Sequence, residues 1–155
     1  MLNKDKSVRL THFIVRACYV LLAAVAIALP VILHNGFYEF DILGEISEYI
    51  LGPFYAVVPA GYVALICLDK LLINIRKEIV FDSKNVKLLR IISWACIYAG
   101  CVGMLSFIII LAMKFMFETL LILAIGELFM GLVVRVVKNV FEAAIKIKDE
   151  NDLTI

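Results

Sequence analysis

The chain has 155 residues, of which 64% are hydrophobic, and a mean hydropathy of +1.01. Ordinary globular domains are about 45–50% apolar, and a soluble chain this short cannot bury the surplus. The composition therefore argues against a water-soluble fold, while the formal net charge of +1 says less than the placement of the charges.

A helix that crosses the hydrocarbon core needs about 20 mostly apolar residues. The first such segment is predicted over 13–33, with the uncharged stretch ACYVLLAAVAIALPVIL at 17–33. A basic N-terminal region and Ala26-Ile27-Ala28 are also elements of a cleavable signal. The apolar run continues past that tripeptide to Leu33, which favours a retained span. The following 34–50 segment, HNGFYEFDILGEISEYI, is read as an acidic loop with aromatic residues at the interface.

The second span is predicted over 51–73. Pro59 is expected to kink or weaken it, because proline lacks an N–H and clashes with the preceding turn. The 69–90 connection carries Lys70, Arg76, Lys77, Lys84, Lys87 and Arg90, and Asp82 or Ser83 is placed to cap the third helix. The third span, 88–113, includes the uncharged stretch IISWACIYAGCVGMLSFIIILAM. The fourth, 115–137, holds Glu127 and Arg135, and its helix is predicted to continue as an extension over 138–155.

Fourteen of the fifteen lysines and arginines fall in the N-terminal, 69–90 and C-terminal segments. The positive-inside rule then places both termini and the 69–90 connection in the cytoplasm. The expected fold is all-α: an integral membrane four-helix bundle, one domain, multi-pass in a bacterial inner membrane. Packing within lipid relies on small residues. Gly52, Ala56, Ala60 and Ala64, then Ala95, Ala99 and Gly103, then Ala24 and Ala28 form stripes suited to helix contacts or to a homo-oligomer.

Glu127 is the intramembrane residue that asks for an explanation. A charged side chain at the centre of a span costs about 2.5–3.5 kcal/mol on insertion scales. Pairing, hydration or protonation reduces that cost. Gly131 and Arg135 follow on the same helical face, but eight residues rise about 12 Å, too far for a direct pair. Gly131 is read as an opening between them, and Tyr62 and Ser106 are the depth-matched candidate partners for Glu127. Arg135 is expected to reach the inner headgroups.

On the basic side, Lys84, Lys87, Arg90 and Lys138 are candidates for contact with anionic lipid or with an acidic partner. The pairs Lys138–Glu142, Glu142–Lys146 and Lys146–Glu150 have the i,i+4 spacing that supports an exposed helix. The apolar side of this extension is expected to lie on the 69–90 connection or on the membrane surface. Leu153 and Ile155, in the final ENDLTI, need a place to bury.

No catalytic signature is present: GxSxG, HExxH, P-loop and GxGxxG patterns are all missing. Cys18, Cys67, Cys96 and Cys101 lie in apolar runs without metal-ligand spacing, so neither disulfides, metal nor cofactor is expected. His12 and His34 are predicted on opposite sides of the membrane. The basic residues lie too close to the bilayer for direct nucleic-acid binding.

The segments NVKLLRIISW (85–94), FMGLVVRVVKNVFEAA (129–144) and KDENDLTI (148–155) resemble the bacterial membrane family catalogued as domain of unknown function 2975. The likeness is specific in the second half and mainly one of hydropathy in the first. The family segment expected as NIKKGEVF is NIRKEIVF here, with Glu78 in the glycine position. The resemblance implies no activity. It does imply a neighbour, a small Cro-type helix-turn-helix regulator encoded beside many members. Two functions are thus expected to compete: a non-enzymatic protein holding a soluble regulator at its cytoplasmic face through Lys84, Lys87, Arg90, Arg135, Lys138 and the ENDLTI tail, or a small transporter, proton-linked or peptide-immunity protein centred on Glu127. A scaffold subunit of a larger complex is a third possibility.

Overall fold

Amides inside lipid have no water to bond, so each span must close its own backbone hydrogen bonds as a helix. The computed structural model describes residues 4–35, 41–77, 79–113 and 118–152, with side chains over 10–32, 49–77, 79–113 and 118–151. Four α-helices account for nearly all of these residues: α1 (Lys4–Asn35), α2 (Asp41–Arg76), α3 (Ser83–Ala112) and α4 (Glu118–Asp152). All four are long and apolar enough to cross a membrane.

The helices overrun the expected spans. At 1.5 Å per residue, the 35 residues of α4 reach about 52 Å against a hydrocarbon core of about 30 Å. Its last turns therefore stand outside the lipid, as the C-terminal extension requires. The segment expected as an acidic loop is shorter than its 34–50 limits, because α1 continues to Asn35 and α2 begins at Asp41. Once a span has nucleated a helix, each added residue costs little and gains a hydrogen bond. Phe37, Tyr38, Glu39 and Phe40 lie outside the described residues, as do Lys114, Glu78 and Leu153–Ile155.

The 69–90 connection likewise shrinks to residues 77–82, since α2 extends to Arg76 and α3 starts at Ser83. Asp82 is the N-cap of α3, with extended backbone and a side chain that accepts the Lys84 N–H at 2.8 Å. Asn85, fully buried, holds the connection together. Its amide donates to the carbonyls of Ile79 (2.7 Å) and Val80 (2.8 Å), and its oxygen accepts from Asn74 Nδ2 at 2.6 Å. One side chain thus satisfies two loop carbonyls and ties the end of α2 to the start of α3. Within α2, Pro53 and Pro59 both sit inside a helix that continues past them.

Neighbours in sequence pack antiparallel. His12 meets Asp69, Tyr19 meets Tyr62 and the Tyr55 hydroxyl donates to the Ala26 carbonyl (2.7 Å), so α2 descends as α1 rises. Between α2 and α3 the Tyr98 hydroxyl reaches the Ala56 carbonyl at 3.4 Å, far along the helices from Asn74–Asn85. The α3–α4 contact is the closest. A Cβ added at Gly100 would fall 2.6 Å from Leu128 Cγ, and one at Gly103 would fall 3.0 Å from the Ala124 Cβ. Contacts join α1 to α2, α2 to α3 and α3 to α4, with none among the described residues between α1 and α4. The bundle is therefore open along one side.

Its outer surface is apolar. At most 17% of the positions in the most hydrophobic window of any span are buried, and Phe13, Ile27, Ile122 and Phe129 project outward. Exposed apolar surface on this scale has no stable place in water, and a bilayer covers it. The basic segments come together at one end of the bundle. The Asn74–Asn85 bond joins α2 to α3 there, and Phe81 in the 77–82 connection packs against Phe141 of α4 with ring centroids 5.8 Å apart.

Candidate functional site

The open side exposes a cleft at mid-depth, with a volume of about 420 Å³. All four helices contribute: Cys18 and Leu22 from α1, Ala60 and Ala64 from α2, Cys96 and Ala99 from α3, and Glu127 from α4. A second cleft of about 390 Å³ lies between α2, α3 and α4, lined by Phe54, Val102, Ser106, Leu123 and, again, Glu127. Val57, Ala99 and Glu127 are common to both, so the carboxylate stands where the two meet. No other charged side chain lines either cleft among the described residues.

The small residues at i,i+4 spacing explain the space. Ala60, Ala64, Ala95 and Ala99 line the first cleft, and their short side chains leave it open. Gly52, at the head of the α2 stripe, meets no heavy atom within 4 Å of an added Cβ. The close approach uses Gly103, the last member of the α3 stripe, together with Gly100 and Gly131. Gly131 is thus not an opening between Glu127 and Arg135. A Cβ there would come within 2.8 Å of Ile97 Cγ1 and 3.2 Å of the Ser93 carbonyl oxygen, and the buried Ser93 hydroxyl donates to the Gly131 carbonyl at 2.8 Å.

Cys96 of α3 lines the first cleft beside Glu127. The depth-matched residues are placed elsewhere. Tyr62 lies against Tyr19 of α1, with ring centroids 6.1 Å apart. Ser106 lines the second cleft with Glu127, but its hydroxyl donates back to the Val102 carbonyl of its own helix at 2.8 Å.

Arg135 and Glu127 are separated along α4. The Arg135 guanidinium sits 5.0 Å from the ring centroid of Trp94, a cation–π arrangement. Beside it, Glu142 accepts from Arg90 Nη2 at 3.0 Å and approaches Lys138 Nζ at 2.7 Å. The hydrogen bond from Lys138, partly opposed by desolvation and reinforced by the hydrogen bond from Arg90, holds the Glu142 carboxyl below the usual carboxylate range. Glu142 therefore pairs across to α3 and back along α4, while Lys146 lies 3.8 Å from Glu150. The structure brings Arg90, Arg135 and Lys138 together and leaves Lys84 and Lys87 exposed on the first turns of α3.

With the four apolar helices and this polar layout in place, the relatives can be compared. A family model described as "Protein of unknown function (DUF2975)" matches residues 47–155, which takes in α3, α4 and nearly all of α2. The chain belongs to that family. Neither the curated proteins nor the solved structures contain a match. The DUF2975 match spans Glu127, Cys96 and the Arg90–Glu142 contact, whereas Cys18 and Leu22 of α1 lie ahead of it. The family's description carries no activity, so the chemistry of the clefts has to be argued from their own residues.

Two functional features lie beyond one-dimensional spacing. Cys96 becomes the neighbour of Glu127 only through the register between α3 and α4. Asn85 opens the segment NVKLLRIISW, and a polar amide at a helix start next to a short connection was the available signal.

Proposed function

We propose that this is a non-enzymatic membrane protein that binds an amphiphilic ligand in the intramembrane cleft, with Glu127 holding the ligand's cationic or hydrogen-bond-donating group. The observation that carries this reading is the single carboxylate at the junction of two apolar clefts. The first cleft falls within the roughly 300–1,000 Å³ usual for small-ligand sites, which are mostly apolar with a few placed polar groups. An intramembrane carboxylate facing a cavity has functional value that offsets its insertion cost. The gap between α1 and α4 supplies a route from the lipid. Transport and peptide immunity are downstream uses of the same site.

The test uses tetraphenylphosphonium, a hydrophobic cation, and a full-length variant retaining Cys96 as its single cysteine. Bound probe should slow alkylation of Cys96 by a membrane-permeant maleimide, and Glu127→Gln should remove the protection. Equal alkylation rates with and without the cation would defeat the reading.

A second reading has its own observation. Lys84 and Lys87 are exposed at the basic end beside the docked α4 extension, a surface suited to an acidic patch on a soluble regulator. By the positive-inside rule this end is cytoplasmic. Reversing both charges should abolish recovery of such a regulator from detergent extracts while leaving tetraphenylphosphonium protection of Cys96 unchanged.

A further inference from the structure

A small pocket of about 60 Å³ lies at the basic end, lined by Arg90, Ser93, Trp94, Arg135 and Lys138. It is separate from both intramembrane clefts and does not include Glu127. Three of its five lining side chains are cationic, and the carboxylate facing them is Glu142, which bonds Arg90 and Lys138. The site therefore keeps two positive charges beyond its internal pairing. No carboxylate among the described residues is paired with Arg135, which rests on the Trp94 ring.

Charge excess alone describes many surfaces. Here the cations are also held in place. The Lys138 side chain is only 15% exposed, and its ammonium is fixed by Glu142. Trp94 orients the Arg135 guanidinium. Behind them, the Ser93–Gly131 hydrogen bond locks the register of α3 against α4. The cations come from both helices, so the pocket exists only when that register is kept. Its small size suits a single compact oxyanion, such as one phosphate, with the groups attached to it lying outside.

Depth identifies the source of the oxyanion. Trp94, the chain's single tryptophan, is exposed on the outer face of α3, and tryptophan favours the headgroup level of a bilayer. Lipid phosphates lie at that level. Arginine binds phosphate oxygens through its planar fork, and lysine binds them as a point charge. We infer that the Arg90–Arg135–Lys138 pocket is a binding site for the phosphate of an anionic phospholipid, with Trp94 flanking it. A zwitterionic choline lipid is disfavoured because its ammonium approaches the same three cations. Glu142 limits the affinity by engaging two of them.

The full-length protein would be reconstituted in nanodiscs of phosphatidylcholine with a graded share of phosphatidylglycerol. Trp94 emission and native mass spectrometry read occupancy. Phosphatidylglycerol should be retained selectively and shift the emission. Arg135→Gln should weaken retention about tenfold, the scale of one lost charge-assisted hydrogen bond. Glu142→Gln should strengthen it, a direction that a folding defect does not produce. Equal retention by the wild type, Arg135→Gln and Glu142→Gln would overturn the inference. So would an emission response to inorganic phosphate in pure phosphatidylcholine discs without one to phosphatidylglycerol, which would make the occupant a solute.

Discussion

Ser93 and Gly131 form the tightest polar joint between α3 and α4: the buried Ser93 hydroxyl donates to the Gly131 carbonyl at 2.8 Å, and the glycine leaves no room for a side chain. In lipid, where apolar surface gains little from leaving its solvent, such close approach is a main source of helix association. Gly131→Ala should destabilise the bundle by about 1–3 kcal/mol, the usual range for overpacking. The added methyl meets both an Ile97 side chain and α3 backbone, which cannot swing away. Gly126 provides the control, since nothing lies within 4 Å of a Cβ there. Gly126→Ala should be neutral or slightly stabilising, given the better helix propensity of alanine. Thermal unfolding in one detergent would rank the two variants.

Asn85 makes a second prediction. Its side chain is fully buried and makes three hydrogen bonds, two of them to carbonyls of the 77–82 connection. Asn85→Ala should cost about 1–3 kcal/mol, because it leaves buried polar partners without a donor or acceptor. The loss should be local first. Hydrogen exchange should speed up at residues 79–85 while the centre of α3 keeps its protection.

The spans were legible from composition because the bilayer imposes a length and a polarity that a sliding reading detects directly. The Asp82 cap was legible for a similar reason: capping joins residues two positions apart. The packing of the α4 extension on the 77–82 connection was one of two expected destinations, and Phe141 on Phe81 supports it. The neighbours of Glu127 were not legible. Depth along a helix narrows the candidates, but Tyr62 turns toward α1 and Ser106 turns into its own backbone. Rotation and register between helices select Cys96. The small-residue stripes were legible only in part for the same reason: Gly103 packs against Ala124 of α4. Spacing shows that residues share a face, yet the same small face can seat a neighbouring helix or leave a cleft, and Ala60, Ala64, Ala95 and Ala99 leave one.

The positive-inside rule predicts an orientation that is testable without a ligand. Single cysteines introduced at 40–48 should react with an impermeant maleimide added to intact cells, while those at 80–88 and at 150 should react only after lysis. The reverse pattern would invert the topology and place the basic end outside, against the positive-inside rule.

Glu142 predicts a pH-dependent dock between α3 and the α4 extension. Its carboxyl is held below the ordinary range, first by the hydrogen bond from Lys138 and then by Arg90. A depressed folded-state value means that the contact contributes its full stability above the unfolded carboxyl's range and loses it as pH falls through the folded value. Exchange protection of residues 138–150 should therefore decline on acidification below the normal glutamate range while the membrane-embedded part of α4 is unaffected. Glu142→Gln should show the weakened protection already at neutral pH and no further decline on acidification. Because the carboxylate lies in water, the change should be modest and should shrink with added salt. An acid response that survives in Glu142→Gln would assign the titration to another group and leave the Arg90–Glu142–Lys138 contact without a role in docking the extension.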